Sequence, residues 1–130
     1  MIGPVPCNPL SAPPHSPKQT IDPATKVALQ DFKQSLRNRY GAHLKAVLLF
    51  GSRARGEFSP DSDADVAVFV DEVRDPLQEQ LDLIDETFQI VLSRGIHIQP
   101  WVFEEGSLKH PNRYRAGHLV KALIREGIPV

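Results

Sequence analysis

The segment "LLFGSRARGEFSPDSDADVAVFV", residues 48–70, decides how this chain folds. The segment contains the end of an apolar run over residues 46–50 and the whole of another over residues 66–70, and a polar loop lies between the two runs. The first run is continuously apolar, which is typical of a strand covered on both faces, and the second alternates as a strand does. The sequence therefore predicts two strands joined by one loop that carries most of the chain's unusual chemistry.

The first half of this loop suits an anion. Gly51 permits a tight turn, and Ser52 offers a hydroxyl beside backbone N–H groups. Arg53 and Arg55 can donate forked, charge-assisted hydrogen bonds to phosphate oxygens. We therefore expect these four residues to bind phosphate.

The second half of the loop suits a cation. Asp63 and Asp65 lie two residues apart, so both carboxylates leave the same face of an extended chain. Mg²⁺ prefers such oxygen ligands and keeps further positions for water and phosphate. A metal-bound polyphosphate would account for both halves of the loop. In the alternative interpretation the carboxylates only cap a turn, and Asp61 fits that role.

Capping patterns predict two long helices. An aspartate followed by proline is a typical helix start, so Asp22 and Asp75 should begin helices that end before Gly41 and Gly95. Spacings of three and four residues predict the buried faces, which are Leu29, Phe32, Leu36 and Tyr40 in the first helix and Leu77, Leu81, Ile84, Phe88 and Val91 in the second.

A third strand and a final helix complete the expected domain. "GIHIQPWVF", residues 95–103, predicts a strand in which Pro100 suits an edge or a bulge. We expect Trp101 and Phe103, which share one face of this strand, to pack under a helix, and the alternative for that face is a partner surface. The last helix should run from about residue 113 to 126, with Val120, Leu123 and Ile124 inward. The fold class is therefore α/β (α+β), a small mixed sheet with helices packed on it.

Composition limits the functional classes. The 130 residues carry a net charge of -1, so no basic face indicates nucleic-acid binding. The single cysteine cannot form an internal disulfide, which favours a cytoplasmic setting. No run of 18 apolar residues indicates a membrane span. Residues 1–20 are rich in proline and predict a flexible tail before a domain at residues 21–130.

The loop and its flanks closely resemble the active-site segment of minimal nucleotidyltransferases in the DNA polymerase β superfamily. The residues that carry this resemblance are Gly51, Ser52, Arg53, Ala54, Arg55, Gly56, Ser62, Asp63 and Asp65. The resemblance implies that such a domain transfers a nucleoside monophosphate from ATP or another triphosphate to a hydroxyl acceptor. It also implies that Asp63 and Asp65 ligate two Mg²⁺ ions, while Gly51 and Ser52 bind the phosphates with support from the arginines.

Small members of this family also resemble antitoxins, which modify or bind a helical HEPN-type partner protein. Active members usually carry a third carboxylate on the strand after the long helix. Here His97 is the expected replacement and Gln99 the alternative. Neutral histidine could accept a proton from an attacking hydroxyl. Two functions therefore stay open: a nucleotidyltransferase acting on a protein or small molecule, and a binding module that neutralises a HEPN-like partner.

Overall fold

A computed structural model describes residues 21–130, and the expected flexible tail at residues 1–20 lies outside the described residues. The helices are α1 (Pro23–Tyr40), α2 (Ser52–Arg55), α3 (Pro76–Arg94), α4 (Gly106–Lys109) and α5 (Gly117–Glu126). The strands are β1 (Leu44–Phe50), β2 (Ala64–Val70), β3 (Ile98–Glu104) and β4 (Ile128–Pro129). Short 3₁₀ turns occupy Gly41–His43 and Pro111–Arg113. Within residues 21–130, no helix combines the length and apolarity needed to cross a membrane.

The four strands form one mixed sheet in the order β3-β2-β1-β4. β1 runs antiparallel to both β2 and β4, whereas β2 and β3 are parallel. Parallel neighbours need a long crossover, and α3 supplies it. The predicted mixed α/β architecture is confirmed. The three short elements α2, α4 and β4 did not form part of the predicted element order.

β2 organises the core because both of its faces are covered. Val66, Val68 and Val70 lie in a cluster with the buried residues of α1 and α3. Ala67 and Phe69 point to the other face, where they pack with Val120 and Leu123 of α5. The sheet therefore lies between α1 and α3 on one side and α5 on the other.

Both predicted helix starts are confirmed by their caps. The Asp22 carboxylate accepts a hydrogen bond from the Thr25 N–H at 3.1 Å, and Asp75 accepts one from the Gln78 N–H at 3.2 Å. In each helix a proline occupies the first turn, where its missing N–H costs nothing. The predicted buried face of α1 is also confirmed through its three fully buried members, Leu29, Phe32 and Leu36.

The predicted buried face of α3 is wrong. Leu77, Leu81, Ile84 and Phe88 are exposed, whereas the buried residues are Leu83, Thr87 and Ile90. The physical reason is that α3 contacts α1 and β3 along a different face. Arg39 of α1 faces the same side of α3, since its guanidinium lies 2.8 Å from Asp82 and within 4 Å of two more α3 carboxylates, those of Glu79 and Glu86.

The last helix also differs from its prediction. α5 begins at Gly117 because the preceding residues form the 3₁₀ turn Pro111–Arg113 and not a helical turn. A Cβ at position 117 would lie 2.0 Å from the Pro111 carbonyl oxygen, so this close approach needs glycine. Val120 and Leu123 are buried as predicted, but Ile124 is exposed.

The orientation of α3 can be tested with a matched pair of leucines. Leu83→Ala should lower the free energy of unfolding by about 2–5 kcal/mol, because it leaves a cavity in the core. Leu81→Ala, on the exposed face, should change it by no more than about 0.5 kcal/mol. Denaturant unfolding measures both values. Equal losses of unfolding free energy would show that Leu81, on the face predicted from the sequence, is buried as well.

Candidate functional site

The site lies where three strand ends meet. β1 ends at Phe50, and its Cα pairs with Asp65 near the start of β2. On the other side of β2, Asp65 pairs with Gln99 near the start of β3. The loop between β1 and β2 covers this edge of the sheet. The strand register therefore brings the predicted phosphate-binding residues close to the predicted metal ligands.

Gly51 contacts the Asp65 side chain directly. Its φ of 77° is a conformation that side-chain-bearing residues rarely adopt. A Cβ at this position would lie 2.5 Å from Asp65 Oδ2, closer than any real contact. Glycine is therefore required twice, once for the backbone turn and once for the space that the carboxylate occupies.

A single helical turn, α2, follows Gly51. The N–H groups of Ala54 and Arg55 both donate to the Gly51 carbonyl oxygen, at 3.1 and 3.2 Å. The N–H groups of Ser52 and Arg53 precede these bonds and have no acceptor within the turn. Gly56, with φ 74°, ends the turn in the left-handed conformation. Ser52 thus lies beside the Asp65 carboxylate at the beginning of this turn.

Arg53 supports the loop from inside. Its side chain is only 3% exposed, and each guanidinium nitrogen donates a hydrogen bond within the protein. Nε donates to the Ser62 carbonyl at 2.8 Å, Nη2 to the Pro60 carbonyl at 3.2 Å and Nη1 to Thr25 Oγ1 at 2.8 Å. These donors hold the loop and join it to α1, and the expected contact of Arg53 with phosphate stays a prediction.

The cap of α1 takes part in the same support. Asp22 Oδ1 lies 3.9 Å from Arg53 Nη1, and among the described residues it is the buried side-chain oxygen without a hydrogen-bond partner. The Phe58 ring packs against the guanidinium, whose central carbon lies 4.6 Å from the ring centroid. Arg53 therefore joins the loop to the first helix through Thr25 and Asp22, and it packs on Phe58 within the loop itself.

Arg55, in contrast, faces solvent. Its side chain is 54% exposed and its Nε donates to Glu57 at 2.9 Å. Its positive charge also acts on Asp65, where it opposes the rise of the carboxyl pKa that burial causes. Because an exposed ion pair is weak, the guanidinium can exchange Glu57 for a phosphate at little cost. Of the two predicted arginine ligands, Arg55 is the one that the structure leaves accessible.

The two predicted metal ligands interact with each other. Burial raises the pKa of the Asp65 carboxyl, the Asp63 charge raises it further, and a hydrogen bond from the Trp101 side chain and the charge of Arg55 oppose this rise. Two carboxylates that repel at this range gain from a cation between them. Asp63 is half-exposed, so it can reach such a cation from the solvent side.

His97 and Gln99 lie beside different members of the carboxylate pair. Gln99 lies on β3 directly beside Asp65. His97 precedes β3; its carbonyl accepts from the Ala64 N–H at 2.9 Å, and its Nδ1 lies 3.2 Å from Asp63 Oδ1. The structure therefore brings His97 to the carboxylate pair through Asp63, while an amide stands opposite Asp65.

The donor set fits a hard divalent cation. Within residues 21–130, no group of three or more His, Cys, Asp or Glu side chains is arranged to hold a metal ion. Asp63 and Asp65 offer two carboxylates at the edge of the sheet where β2 begins. Mg²⁺ is commonly held by one or two carboxylates together with waters and substrate phosphates. A metal that arrives with a polyphosphate therefore suits this pair better than a resident metal would.

Trp101 also borders the site, although we expected it to pack under a helix. Phe103 does so, since it packs against the cluster that contains Val120 and Leu123 of α5, and its ring also stacks on Phe69 with centroids 5.2 Å apart. Trp101 is 41% exposed and its side chain interacts with Asp65. Alternation along β3 could have suggested this, because Gln99 and Trp101 share the face on which Asp65 lies.

Comparison with known proteins finds a matching family and several similar sequences. A family model described as "Nucleotidyltransferase domain" matches residues 29–120. Three Methanocaldococcus jannaschii proteins named "Putative protein adenylyltransferase" are similar to this chain. The identities are 36% over 44 residues, 31% over 77 residues and 41% over 61 residues. These matches cover 34%, 59% and 46% of this chain, and 44%, 77% and 59% of the relatives.

The chain therefore spans less than two thirds of two of these relatives. Among solved structures, a Sulfolobus solfataricus protein described as a "putative nucleotidyltransferase" superposes with a TM-score of 0.42 at 19% identity. That superposition covers 82% of this chain and 84% of the other.

The Gly51 contact gives a stability test with an internal control. Gly41 also has a positive φ, 56°, but a Cβ there would meet nothing within 4 Å. Gly41→Ala should therefore show only the backbone cost, about 1–3 kcal/mol of unfolding free energy. Gly51→Ala should lose more, because the new methyl group must also displace Asp65. Thermal and denaturant unfolding compare the two variants, and an equal loss would remove the argument for the Asp65 contact.

Substitution of the two loop arginines should change the stability of the protein by different amounts. Arg53→Met should lower the free energy of unfolding by about 1.5–3 kcal/mol, because buried carbonyl and hydroxyl groups lose charged hydrogen bonds. Arg55→Met, at an exposed ion pair, should change it by no more than about 0.5 kcal/mol. Denaturant unfolding again decides, and a stable Arg53→Met protein would contradict the structural role of this side chain.

Proposed function

Because the chain belongs to the nucleotidyltransferase domain family, we propose that it transfers a nucleoside monophosphate, AMP from ATP, to a hydroxyl acceptor. The observation that carries this proposal is the contact between Gly51 and the Asp65 carboxylate. It joins a phosphate-binding turn and a carboxylate pair in one place. A bound Mg²⁺–ATP would meet both there without any rearrangement of the sheet.

We assign the residues as follows. Asp63 and Asp65 hold Mg²⁺, two ions when substrate is bound, and Mg²⁺ neutralises the phosphate charge. The Ser52 hydroxyl and the N–H groups that follow Gly51 bind phosphate oxygens, and exposed Arg55 adds charge from solvent. Arg53 stabilises the loop through its hydrogen bond to the Ser62 carbonyl. The positioning of the triphosphate is therefore shared between backbone, hydroxyl and guanidinium donors.

His97 is the proposed proton acceptor. Its Nδ1 lies 3.2 Å from Asp63 Oδ1, and half of its side chain is exposed to an entering acceptor. A neutral imidazole can take the proton of an attacking hydroxyl near neutral pH. The contact with Asp63 keeps the ring beside the carboxylate pair. His97 would thus replace the third carboxylate as base but not as metal ligand.

The acceptor that we propose is a hydroxyl group of a protein. The names of the M. jannaschii relatives indicate such a reaction for those proteins. The resemblance to antitoxins indicates a HEPN-family helical partner, hence a toxin–antitoxin pair in the cytoplasm. Neither a basic face nor an excess of positive charge supports a nucleic-acid acceptor.

One observation favours the alternative of a binding module. The position opposite Asp65 carries Gln99, an amide that neutralises no positive charge. A two-metal site with two carboxylates should bind its second metal weakly and transfer slowly. The chain would then bind Mg²⁺–ATP and hold a HEPN-like partner without modifying it.

Transfer can be tested with ATP labelled at the α-phosphate, Mg²⁺ and the protein encoded by the neighbouring gene. We expect label on that protein. Asp63→Asn should reduce the label by about 100-fold or more, because it removes a ligand of the Mg²⁺ that neutralises the reacting phosphate. Asp61→Asn, a carboxylate in the same loop that is exposed, should keep the wild-type rate. His97→Ala should slow transfer while leaving ATP affinity unchanged.

Calorimetric titration with ATP and MgCl₂ separates the remaining outcomes. Heat of binding together with label identifies the transferase. Binding of nucleotide and a stable protein complex without label identify the binding module. If millimolar Mg²⁺–ATP gives no heat and no label appears, the proposed function is wrong.

A further inference from the structure

One face of α3 is apolar from the first turn of the helix to the last, and it lies in solvent. Its side chains are between 38% and 69% exposed, and they are Leu77, Leu81, Ile84, Phe88 and Leu92. The core does not need them, because a different set of α3 residues is buried. Single exposed apolar side chains are ordinary, whereas a continuous row marks a surface that another molecule covers. We call these five residues the α3 row.

The strand beside α3 limits the kind of molecule that fits here. β3 is the last of the four described strands at one side of the sheet. The Gln80 side chain occupies its edge, because the amide nitrogen donates to the Pro100 carbonyl and the amide oxygen accepts from the Val102 N–H at 3.3 Å. Pro100 itself has no N–H to donate, so a further strand cannot pair there. A partner must therefore cover the α3 row with side chains, as a helix does.

The α3 row has the spacing that a second helix requires. Leu77, Leu81, Ile84 and Phe88 follow one another at intervals of four, three and four residues, which is the period of helices that pack side by side. The same intervals result when the row is read from its other end. Two copies of α3 in antiparallel orientation therefore place Leu77 opposite Phe88 and Leu81 opposite Ile84, twice, around a twofold axis.

The charges around the row also suit a second copy. None of the five side chains is charged, and the whole chain has a net charge of -1, so little repulsion opposes self-association. The side chains that border the row on one side of the helix are Gln78, Asp85 and Gln89, of which only Asp85 is charged. In the antiparallel pairing, Asp85 of one copy lies near Gln78 of the other, which is an amide and not a second carboxylate. A strongly charged partner would find almost no opposite charge here.

A cavity borders one end of the row. It has a volume of about 440 Å³ and is lined mainly by apolar side chains, among them Val73, Pro76 and Val102. Pro76 immediately precedes Leu77, the residue that faces Phe88 of a second copy. An aromatic side chain that enters such a cavity is a typical anchor of a protein–protein interface. The row therefore has both a projecting ring and a place that can receive one.

We propose that the α3 row is the interface of a homodimer, in which two copies of α3 pack antiparallel and Phe88 of each copy enters the cavity beside Leu77 of the other. This inference does not depend on the proposed function. The 19 residues of α3 span about 28 Å, so the contact lies at the lower end of stable interfaces, and we expect a dissociation constant on the order of 10 µM. Pairing adds stability only above this concentration, so the unfolding comparison of Leu83→Ala with Leu81→Ala belongs at sub-micromolar protein.

Sedimentation equilibrium of the full chain, without nucleotide, tests the dimer. Between about 1 and 100 µM, the wild-type chain should change from monomer to dimer. Leu81→Glu should raise the dissociation constant by about tenfold or more, because it replaces a buried leucine with a charge in the middle of the row. Leu119→Glu is the matched control, since Leu119 of α5 is similarly exposed and lies outside the row. It should change the dissociation constant by no more than about twofold. Circular dichroism checks that both variants are folded.

Cysteine crosslinking tests the orientation. The single native cysteine is first removed by Cys7→Ser. A mixture of Leu77→Cys chains and Phe88→Cys chains should then form a disulfide-linked dimer under mild oxidation, because the antiparallel pairing brings these two positions together. Neither variant should crosslink by itself, since two copies of the same position would lie about 16 Å apart along the helices, beyond the reach of a disulfide.

Three results would overturn the inference. A chain that stays monomeric at about 100 µM would leave the row to residues 1–20 or to a helix of another protein. A dimer that both glutamate variants weaken equally, or that Leu81→Glu does not weaken, would place the interface elsewhere. Crosslinking of either cysteine variant by itself would contradict the antiparallel pairing. Failure of the proposed function is distinct, because loss of nucleotide binding changes none of these measurements.

Discussion

The contact between the Gly51 backbone and the Asp65 carboxylate is the constraint on which the rest of the site depends. A side chain at position 51 would lie 2.5 Å from Asp65 Oδ2, so only a bare backbone lets the turn and the carboxylate share this space. The antiparallel register of β1 and β2 sets the contact, because it pairs Phe50 with Asp65. The turn that follows β1 therefore arrives at the acidic edge with no freedom to lie elsewhere.

The same site separates residues that hold the loop from residues that face a ligand. Arg53 is buried and donates to two loop carbonyls and to Thr25, so its charge is used to order the loop. Arg55, two residues later, is exposed because a single helical turn places it on the other side of α2. One positive charge thus stabilises the structure, and the other remains available to a phosphate. Burial, and to a lesser extent the charge of Asp63, raises the pKa of the Asp65 carboxyl, so this carboxylate pair would gain from a bound cation.

Local signals in the sequence predicted the elements well, since each has a short-range physical cause. Asp22 and Asp75 cap helices through hydrogen bonds that span three residues, and the valine alternation of β2 matches the strand period. The buried face of α3 was predicted wrongly because it depends on contacts between elements that are distant in the chain. Leu77, Leu81 and their neighbours show a helical period, but the period does not reveal that α1 and β3 cover another face. The start of α5 was missed because the close approach of Gly117 to Pro111 is a tertiary contact.

The sequence by itself determined the strand–loop–strand segment, its acidic pair and its glycine turn, because these depend on the residue types and on spacings of a few positions. It also determined which chemistry the loop could serve. Only the tertiary structure decided that Arg53 is buried, that Gln99 and not His97 stands beside Asp65, and that Trp101 borders the carboxylates. The positions of Gln99 and Trp101 depend on the register between β2 and β3, and the burial of Arg53 depends on its contacts with loop carbonyls and with Thr25 of α1. No local pattern encodes either. The physical reason is that hydrogen bonding between strands and burial against α1, α3 and α5 act on the whole sheet at once.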